Sequence, residues 1–269
     1  MSVLDEIVKN KILELEEVKR LLPLEEIKKS LNNTKRRSKF FESIFSSINK
    51  GKPGLIAEIK FASPSKGDIR LDLQPEDVAK VYENSYLVDC ISVLTEKKYF
   101  KGDISFINRV KSITNKPILR KDFIIDEYQL FESAYYGADC VLLIATILPR
   151  EELKEFYTLA RQLGLDVLVE IYGEEDLQKI ERLNLDMLGV NSRNLKTLDV
   201  SLSNLKSMIS YIKGFSKVLV AESGIKTRED VENLIKYGFN SFLVGESFMI
   251  SDNIYKKITE LFSGIVLYI

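Results

Sequence analysis

The sequence predicts an α/β fold: a (β/α)8 TIM barrel over residues 49–269, preceded by an N-terminal helical extension over residues 1–48. Three observations carry that expectation. From residue 55 onward eight short apolar runs alternate with longer helical patterns, and they read as parallel strands buried on both faces. Three of the runs open on a glycine, one residue, then Asp or Asn, in GADCVLLI, GLDVLVEI and GFNSFLVG. Spread over eight units, residues 55–269 leave about 27 residues per strand and helix, which suits such a barrel. An open doubly wound sheet is the competing fold. It would normally carry a nucleotide fingerprint after its first strand, and neither GxGxxG nor GxxxxGKS/T occurs.

Taken in order, Leu4, Ile7, Val8, Ile12, Leu15, Val18 and Leu22 recur at three- and four-residue spacing and predict an amphipathic helix. Ser2 and Asp5 are placed to cap it, and Pro23 ends or kinks it. A second helical stretch carries Ile27 and Leu31. The basic run at 35–39 reads as a solvated helix face, and a third helical stretch follows with Phe40, Phe41, Ile44 and Phe45. The expected strands are 55–59, 90–94, 117–120, 140–145, 167–171, 187–190, 217–222 and 241–246. Gly137, Gly164 and Gly238 look like the residues that close the helices preceding three of them. The connection after the first strand, residues 61–77, is long enough for a lid or binding loop. Its Ser63, Ser65, Lys66 and Gly67 supply hydroxyls, charge and backbone freedom.

Composition removes whole classes of function. Thirty-nine basic against forty acidic side chains leave a formal charge of -1, so no global field recruits nucleic acid or an anionic membrane. No apolar stretch reaches the roughly 18 residues of a membrane span. The N-terminal MSVLDEIVKNK lacks the apolar core of a signal peptide, so a soluble cytoplasmic protein is expected. Cys90 and Cys140 each open an apolar run and read as buried small hydrophobes, not as a disulfide framework. Histidine is absent. That excludes Ser-His-Asp and Cys-His nucleophilic sites, HExxH zinc sites and imidazole relays, and leaves proton transfer to lysine, carboxylate, tyrosine or cysteine.

In a barrel the active site forms at the C-terminal ends of the strands, so polar residues late in each run carry the information. Those residues are Glu58 and Lys60, Glu96, Lys121, Glu170, Asn191 with Arg193, Glu222 with Ser223, and Glu246. Glu58 and Lys60, two apart, share one side of their strand. Glu170 sits inside VLVEI, where a carboxylate is costly to bury without partners. Ion pairs could merely plug the barrel, but Val, Ile and Leu do that more simply. Ser223-Gly224 and Gly245 follow the seventh and eighth strands, where barrels of this kind hold phosphate on backbone N–H groups. Glu96-Lys97-Lys98 reads as solvated on charge alone.

IAEIKFASPSKG, SVLTEKKYFKGD, ILRKDFIIDEYQ, LVEIY, GVNSRNLKTL, AESGI and FLVGESFM, in this order, closely resemble the indole-3-glycerol phosphate synthase family over about residues 50–250. AEIKxxSPSKG and GVNSRNL are highly specific, whereas AESGI recurs in other phosphate-binding barrels. The resemblance implies ring closure of 1-(2-carboxyphenylamino)-1-deoxyribulose 5-phosphate to indole-3-glycerol phosphate, with loss of carbon dioxide and water, in tryptophan biosynthesis. It implies a phosphorylated small-molecule substrate and neither metal nor organic cofactor, and a monomer is expected.

Carried over by motif, Lys121 matches the family's general acid, and Glu170 matches a carboxylate that stabilises positive charge on the anilino nitrogen. Glu58 and Lys60 match groups assigned to the later dehydration and to substrate binding. Asn191, Arg193, Glu222 and Ser223 match substrate-contacting positions, and Phe100 and Phe123 match aromatics lining the anthranilate pocket. Phosphate would lie near Ser63, Gly224 and Gly245. Glu246 stands where some members have serine, so either its carboxylate turns away or phosphate affinity is lowered. The division of the proton transfers among Glu58, Lys60 and Lys121 stays open. Neighbouring lysines would depress one another's pKa, helping one act as an acid near neutrality.

Two other readings compete. A class I aldolase or isomerase would form a Schiff base on Lys121 or Lys60. A catalytically dead barrel kept as a scaffold would show eroded residues at the strand ends, and here they are intact.

Overall fold

Each apolar run becomes a strand because it is covered on both faces, from inside the barrel and by the helices outside. In the computed structural model, which describes residues 2–31 and 37–267, eight parallel strands close on themselves. They are β1 (Gly54–Ile59), β2 (Cys90–Leu94), β3 (Ile118–Lys121), β4 (Cys140–Ile144), β5 (Asp166–Ile171), β6 (Met187–Asn191), β7 (Val218–Glu222) and β8 (Ser241–Val244). Every strand residue is buried except Lys121, which is half-buried. Each strand pairs with the next in sequence, and β1 closes the ring on β8 with Gly54 opposite Ser241 and Ala57 opposite Val244. The last strand stops two residues short of the expected end. Gly245, at ψ -63°, turns the chain out of the sheet, and Glu246 opens the short helix Glu246–Met249.

Helices follow the strands in alternation. Gly137 and Gly238, at φ 92° and 115°, close Tyr128–Tyr136 and Arg228–Tyr237 in the left-handed conformation expected of them. The first connection is not bare loop. Ala62–Ser63 pairs with Gly67–Asp68 as a two-residue hairpin before the helix Pro75–Glu83 begins.

The segment ahead of β1 is helical as expected, in α1 (Val3–Leu21), α2 (Leu24–Leu31) and α3 (Phe40–Asn49). Ser2 and Asp5 form a reciprocal capping box at 2.8 and 3.2 Å. The buried stripe of α1 is Leu4, Ile7, Lys11 and Leu15, while Ile12 is half exposed. Ile12 lies one residue, and so about 100°, beyond the stripe that spacings of three and four trace through Lys11. Ile27 of α2 packs with Leu15 and Tyr128, and Phe40, Ile44 and Ile48 of α3 join the main core. The basic run is not a helix face where it is described. Lys35 and Arg36 lie outside the described residues, and 37–39 are not helical. Ser38 instead donates to Asp166 at 2.6 Å and accepts from the N–H of Phe40, so α3 starts only at Phe40. Among the described residues no helix is long and apolar enough to cross a membrane.

Candidate active site

The C-terminal ends of the strands converge on a cavity of about 300 Å³. All the strand-end residues read from the sequence except Glu96 line it, as do Ser63, Phe100, Phe123, Gly224 and Gly245. Glu58 is buried and pairs with Lys60 at 2.9 Å, the side chain two residues on along the same face. Lys121 ends β3 and spans to β5 and β7, with its ammonium 3.0 Å from Glu170 and 2.5 Å from Glu222. Five charges from the ends of four strands thus form two ion-paired groups. The ladder sets their heights, since Glu170 lies opposite Gly189, and Asn191 opposite Glu222.

Two glycines make room for these carboxylates. A Cβ on Gly189, in the middle of β6, would lie 2.1 Å from Glu222 Oε1. A Cβ on Gly245 would lie 2.5 Å from Glu58 Oε1. Only the missing side chain lets each carboxylate turn into the barrel. The sequence offers Gly245 as a backbone donor for phosphate, and the close approach to Glu58 is a second reason for glycine there. Gly189 was not singled out. Its one signal is a glycine interrupting a strand that otherwise needs bulk, as in MLGV.

The electrostatics correct one expectation. Burial works against the charged form of Lys121, but Glu170, Glu222 and Glu58 outweigh it and hold the ammonium well above the ordinary lysine value. Its closest charges are carboxylates, not a second lysine, so it is a firmly protonated group at neutrality rather than a depressed one. Glu222 moves the other way from an ordinary carboxylate. Burial, with Glu170 beside it, pushes it up to about 8 against the pull of Lys121. Among the described buried side-chain polar atoms, Glu222 Oε1 alone has no hydrogen-bond partner. A buried oxygen with no donor is where a carboxylic proton is held at least cost.

Phe100 and Phe123 face one another in the cavity with ring centroids 6.2 Å apart. Phe100 is placed by Glu96, which is buried and accepts from the N–H groups of Lys98, Tyr99 and Phe100 at 3.1, 2.7 and 3.0 Å. Glu96 is therefore not part of a solvated stretch: its carboxylate organises the turn, and three backbone donors offset its burial. Phe123 and Lys121 flank Asp122, whose carboxylate accepts from Thr95 at 2.6 Å and pairs with Lys11 at 3.0 Å and Arg120 at 3.2 Å. Burial opposes the charge on Asp122, but Lys11 and Arg120 win and keep its carboxyl below the ordinary value.

Lys11, 3% exposed, thus ties α1 to the residue beside Lys121. Asn10 and Lys98, with Tyr99, make a second tie between α1 and the turn that holds Phe100. Sequence reasoning missed Lys11. The signal was available, because it lies on the apolar stripe between Ile7 and Leu15 where a solvated lysine does not belong.

At the other end of the cavity stand Ser63, Ser223, Gly224, Gly245, Arg193 and Lys66. Ser223 adopts φ 67°, a left-handed conformation that costs energy in a residue with a Cβ, and it is followed by Gly224 at φ 76°. Ser192 holds the turn by donating to the Ser223 carbonyl at 3.0 Å. Arg193 donates to Ser65 Oγ at 2.8 Å and to the Leu198 carbonyl at 3.2 Å. Glu246 does not turn away. Its carboxylate lies 3.4 Å from Arg193 and 3.9 Å from Lys66. Among the described residues, no group of three or more Cys, Asp and Glu is arranged to hold a metal ion.

The family model for indole-3-glycerol phosphate synthase matches residues 4–261, nearly the whole chain. The chain belongs to the indole-3-glycerol phosphate synthase family. It is similar to the indole-3-glycerol phosphate synthase of Caldanaerobacter subterraneus subsp. tengcongensis, with 48% identity over 251 residues that cover 93% of this chain and 94% of that protein. Against the indole-3-glycerol phosphate synthase of Thermoanaerobacter sp. (strain X514) the identity is 47% over 248 residues, 92% of each chain. Among solved structures, 3-hexulose-6-phosphate synthase from Salmonella typhimurium matches with a TM-score of 0.59 at 18% identity, over 77% of this chain and 96% of that one. That likeness is one of fold alone. Membership makes the chain a carboxy-lyase of tryptophan biosynthesis that acts on a phosphorylated small molecule.

Proposed function

We propose that this cavity closes the ring of 1-(2-carboxyphenylamino)-1-deoxyribulose 5-phosphate, with Lys121 as the general acid. The observation that carries the assignment is the Lys121 ammonium, set between Glu170 and Glu222 at the centre of the strand ends. The carboxyphenyl ring lies against the wall that Phe100 and Phe123 form together. The phosphate sits on the backbone of Gly224 and Gly245 beside Ser63, and Asn191, Arg193 and Ser223 contact the chain between. In that pose the substrate carbonyl meets Lys121. Its Nζ gives a proton to the carbonyl oxygen as the ring carbon attacks, and carbon dioxide then leaves to restore the aromatic ring. Glu170 faces the anilino nitrogen as positive charge develops there. Glu222, which holds a proton into the neutral range, returns one to Lys121. Glu58 and Lys60 serve the dehydration that follows, as base and acid.

The firm protonation of Lys121 also argues against a Schiff-base mechanism, which needs a free amine. The test is incubation with the substrate while watching for indole fluorescence. No product from the intact enzyme would end this reading, and a borohydride-trapped adduct on Lys121 would favour the aldolase class instead. Substrate and product are phosphate esters that do not cross membranes unaided, which supports a cytoplasmic enzyme; the expected monomer would be checked by light scattering at working concentration.

A further inference from the structure

Glu246 is the residue that the proposed chemistry leaves without a task. It follows Gly245 directly, and its carboxylate reaches across the phosphate end of the cavity to cations on two other loops. Arg193, from the loop after β6, offers one guanidinium nitrogen to Glu246 at 3.4 Å and another to Ser65 Oγ at 2.8 Å. Lys66, from the loop after β1, lies 3.9 Å from the second carboxylate oxygen. Three loops therefore meet on one anion, in a cavity that Lys226 also lines. A phosphate monoester carries about 1.5 to 2 negative charges at neutral pH and three acceptor oxygens, so it seeks these same donors.

We propose that the Glu246 carboxylate is an internal stand-in for the substrate phosphate. It occupies Arg193 and Lys66 in the free enzyme, is displaced from them when phosphate binds, and so sets the affinity of the site for phosphate esters. The inference rests on the reading above that phosphate lies beside Gly224 and Gly245. The carboxylate keeps the guanidinium fork extended toward the phosphate end of the cavity, and in the proposed pose it stands beside the phosphate and repels it. Removing the charge while keeping the side-chain shape therefore frees two cations and takes away one repulsion.

The test compares intact enzyme with Glu246→Gln and Glu246→Ser, using inorganic phosphate and sulfate as competitive inhibitors of the carboxyphenylamino-deoxyribulose phosphate reaction. Both variants should bind phosphate and sulfate more tightly, on the order of 10-fold, as expected when an opposing interaction of about 1.4 kcal/mol is removed. KM for the substrate should fall in the same direction. Two variants are used so that one misfolded protein does not decide the matter, and thermal unfolding identifies it. Unchanged or weaker inhibition in the folded variants would overturn the stand-in role, and weaker inhibition would make Glu246 a residue that orients the cations for phosphate. If the intact enzyme turns over substrate and is inhibited by phosphate while the variants do not differ from it, only this inference fails. If the intact enzyme makes no product, the functional reading fails and takes the inference with it.

Discussion

Gly189→Ala probes the construction of the site through a residue that has no chemistry of its own. The new Cβ would stand 2.1 Å from Glu222 Oε1 and 3.2 Å from its carboxyl carbon. Carbon and oxygen in ordinary contact need well over 3 Å, so the carboxylate must retreat by about 1 Å or more. Glu222 cannot retreat alone, because its other oxygen is 2.5 Å from Lys121. A catalytic group misplaced by about 1 Å loses on the order of 100-fold in rate, and that is the expected fall in kcat. Overpacking by one methyl costs about 1–3 kcal/mol, which a barrel of this size should survive. Stopped-time assays of indole-3-glycerol phosphate formation would give kcat and KM, and phosphate inhibition would report on the far end of the cavity, which should change little. Shortening the neighbour in Gly189→Ala/Glu222→Asp returns space and should recover part of the lost stability, while kcat stays low because the shorter carboxylate stands back from Lys121. A folded Gly189→Ala enzyme with the parent kcat would show that the carboxylate has room to spare and that the close-approach argument is wrong.

Three further outcomes follow from the same geometry. Lys121→Met should lower kcat by at least about 100-fold with KM little changed, as for loss of a general acid; a rise in KM at constant kcat would make Lys121 a binding residue. Glu222 holds its proton to about 8 in the folded state against an ordinary value of 4.5, so between those values the unfolded chain binds fewer protons and stability falls as pH rises. Urea midpoints at pH 5, 7 and 9 should therefore show Glu222→Gln gaining on the parent as pH increases, and a constant gap would refute the shifted carboxyl. Lys11→Met leaves buried Asp122 short of one partner and should destabilise by about 3–5 kcal/mol in denaturant unfolding, with Asp122→Asn in the same background recovering part of it. A loss indistinguishable from that of an exposed lysine would show that the pair adds nothing.

Much of this was legible in the chain because burial on both faces leaves an uninterrupted apolar signature. A charge within such a run, Glu170 in VLVEI or Glu58 in LIAEI, stands out for the same reason. What could not be read shares a different cause. Gly189 matters through the side chain it lacks, against a carboxylate 33 residues later that only the ladder brings alongside. Glu96 looks solvated beside two lysines, and only the turn geometry shows its carboxylate facing inward to three N–H groups. The charge balance at Lys121 depends on which partners lie nearest, so composition suggested two lysines and the fold supplied two carboxylates.

The ties of α1 have a consequence for how the chain is made. Its contacts are with residues far downstream: Asn10 with Tyr99, 89 positions on, and Lys19 with Asp126, 107 positions on. During synthesis the first helix therefore emerges long before its partners in the barrel, at about 5–20 residues per second. For several seconds its apolar stripe, with Lys11 in it, has no barrel core to join, and a helix in a protein draws most of its stability from such packing. The turns bearing Phe100 and Phe123 meet the opposite problem, since they are complete only when this early segment folds back onto them. Docking of this earlier-made segment onto much younger strands is thus a late event in biogenesis, and it coincides with the moment the aromatic wall of the cavity takes shape.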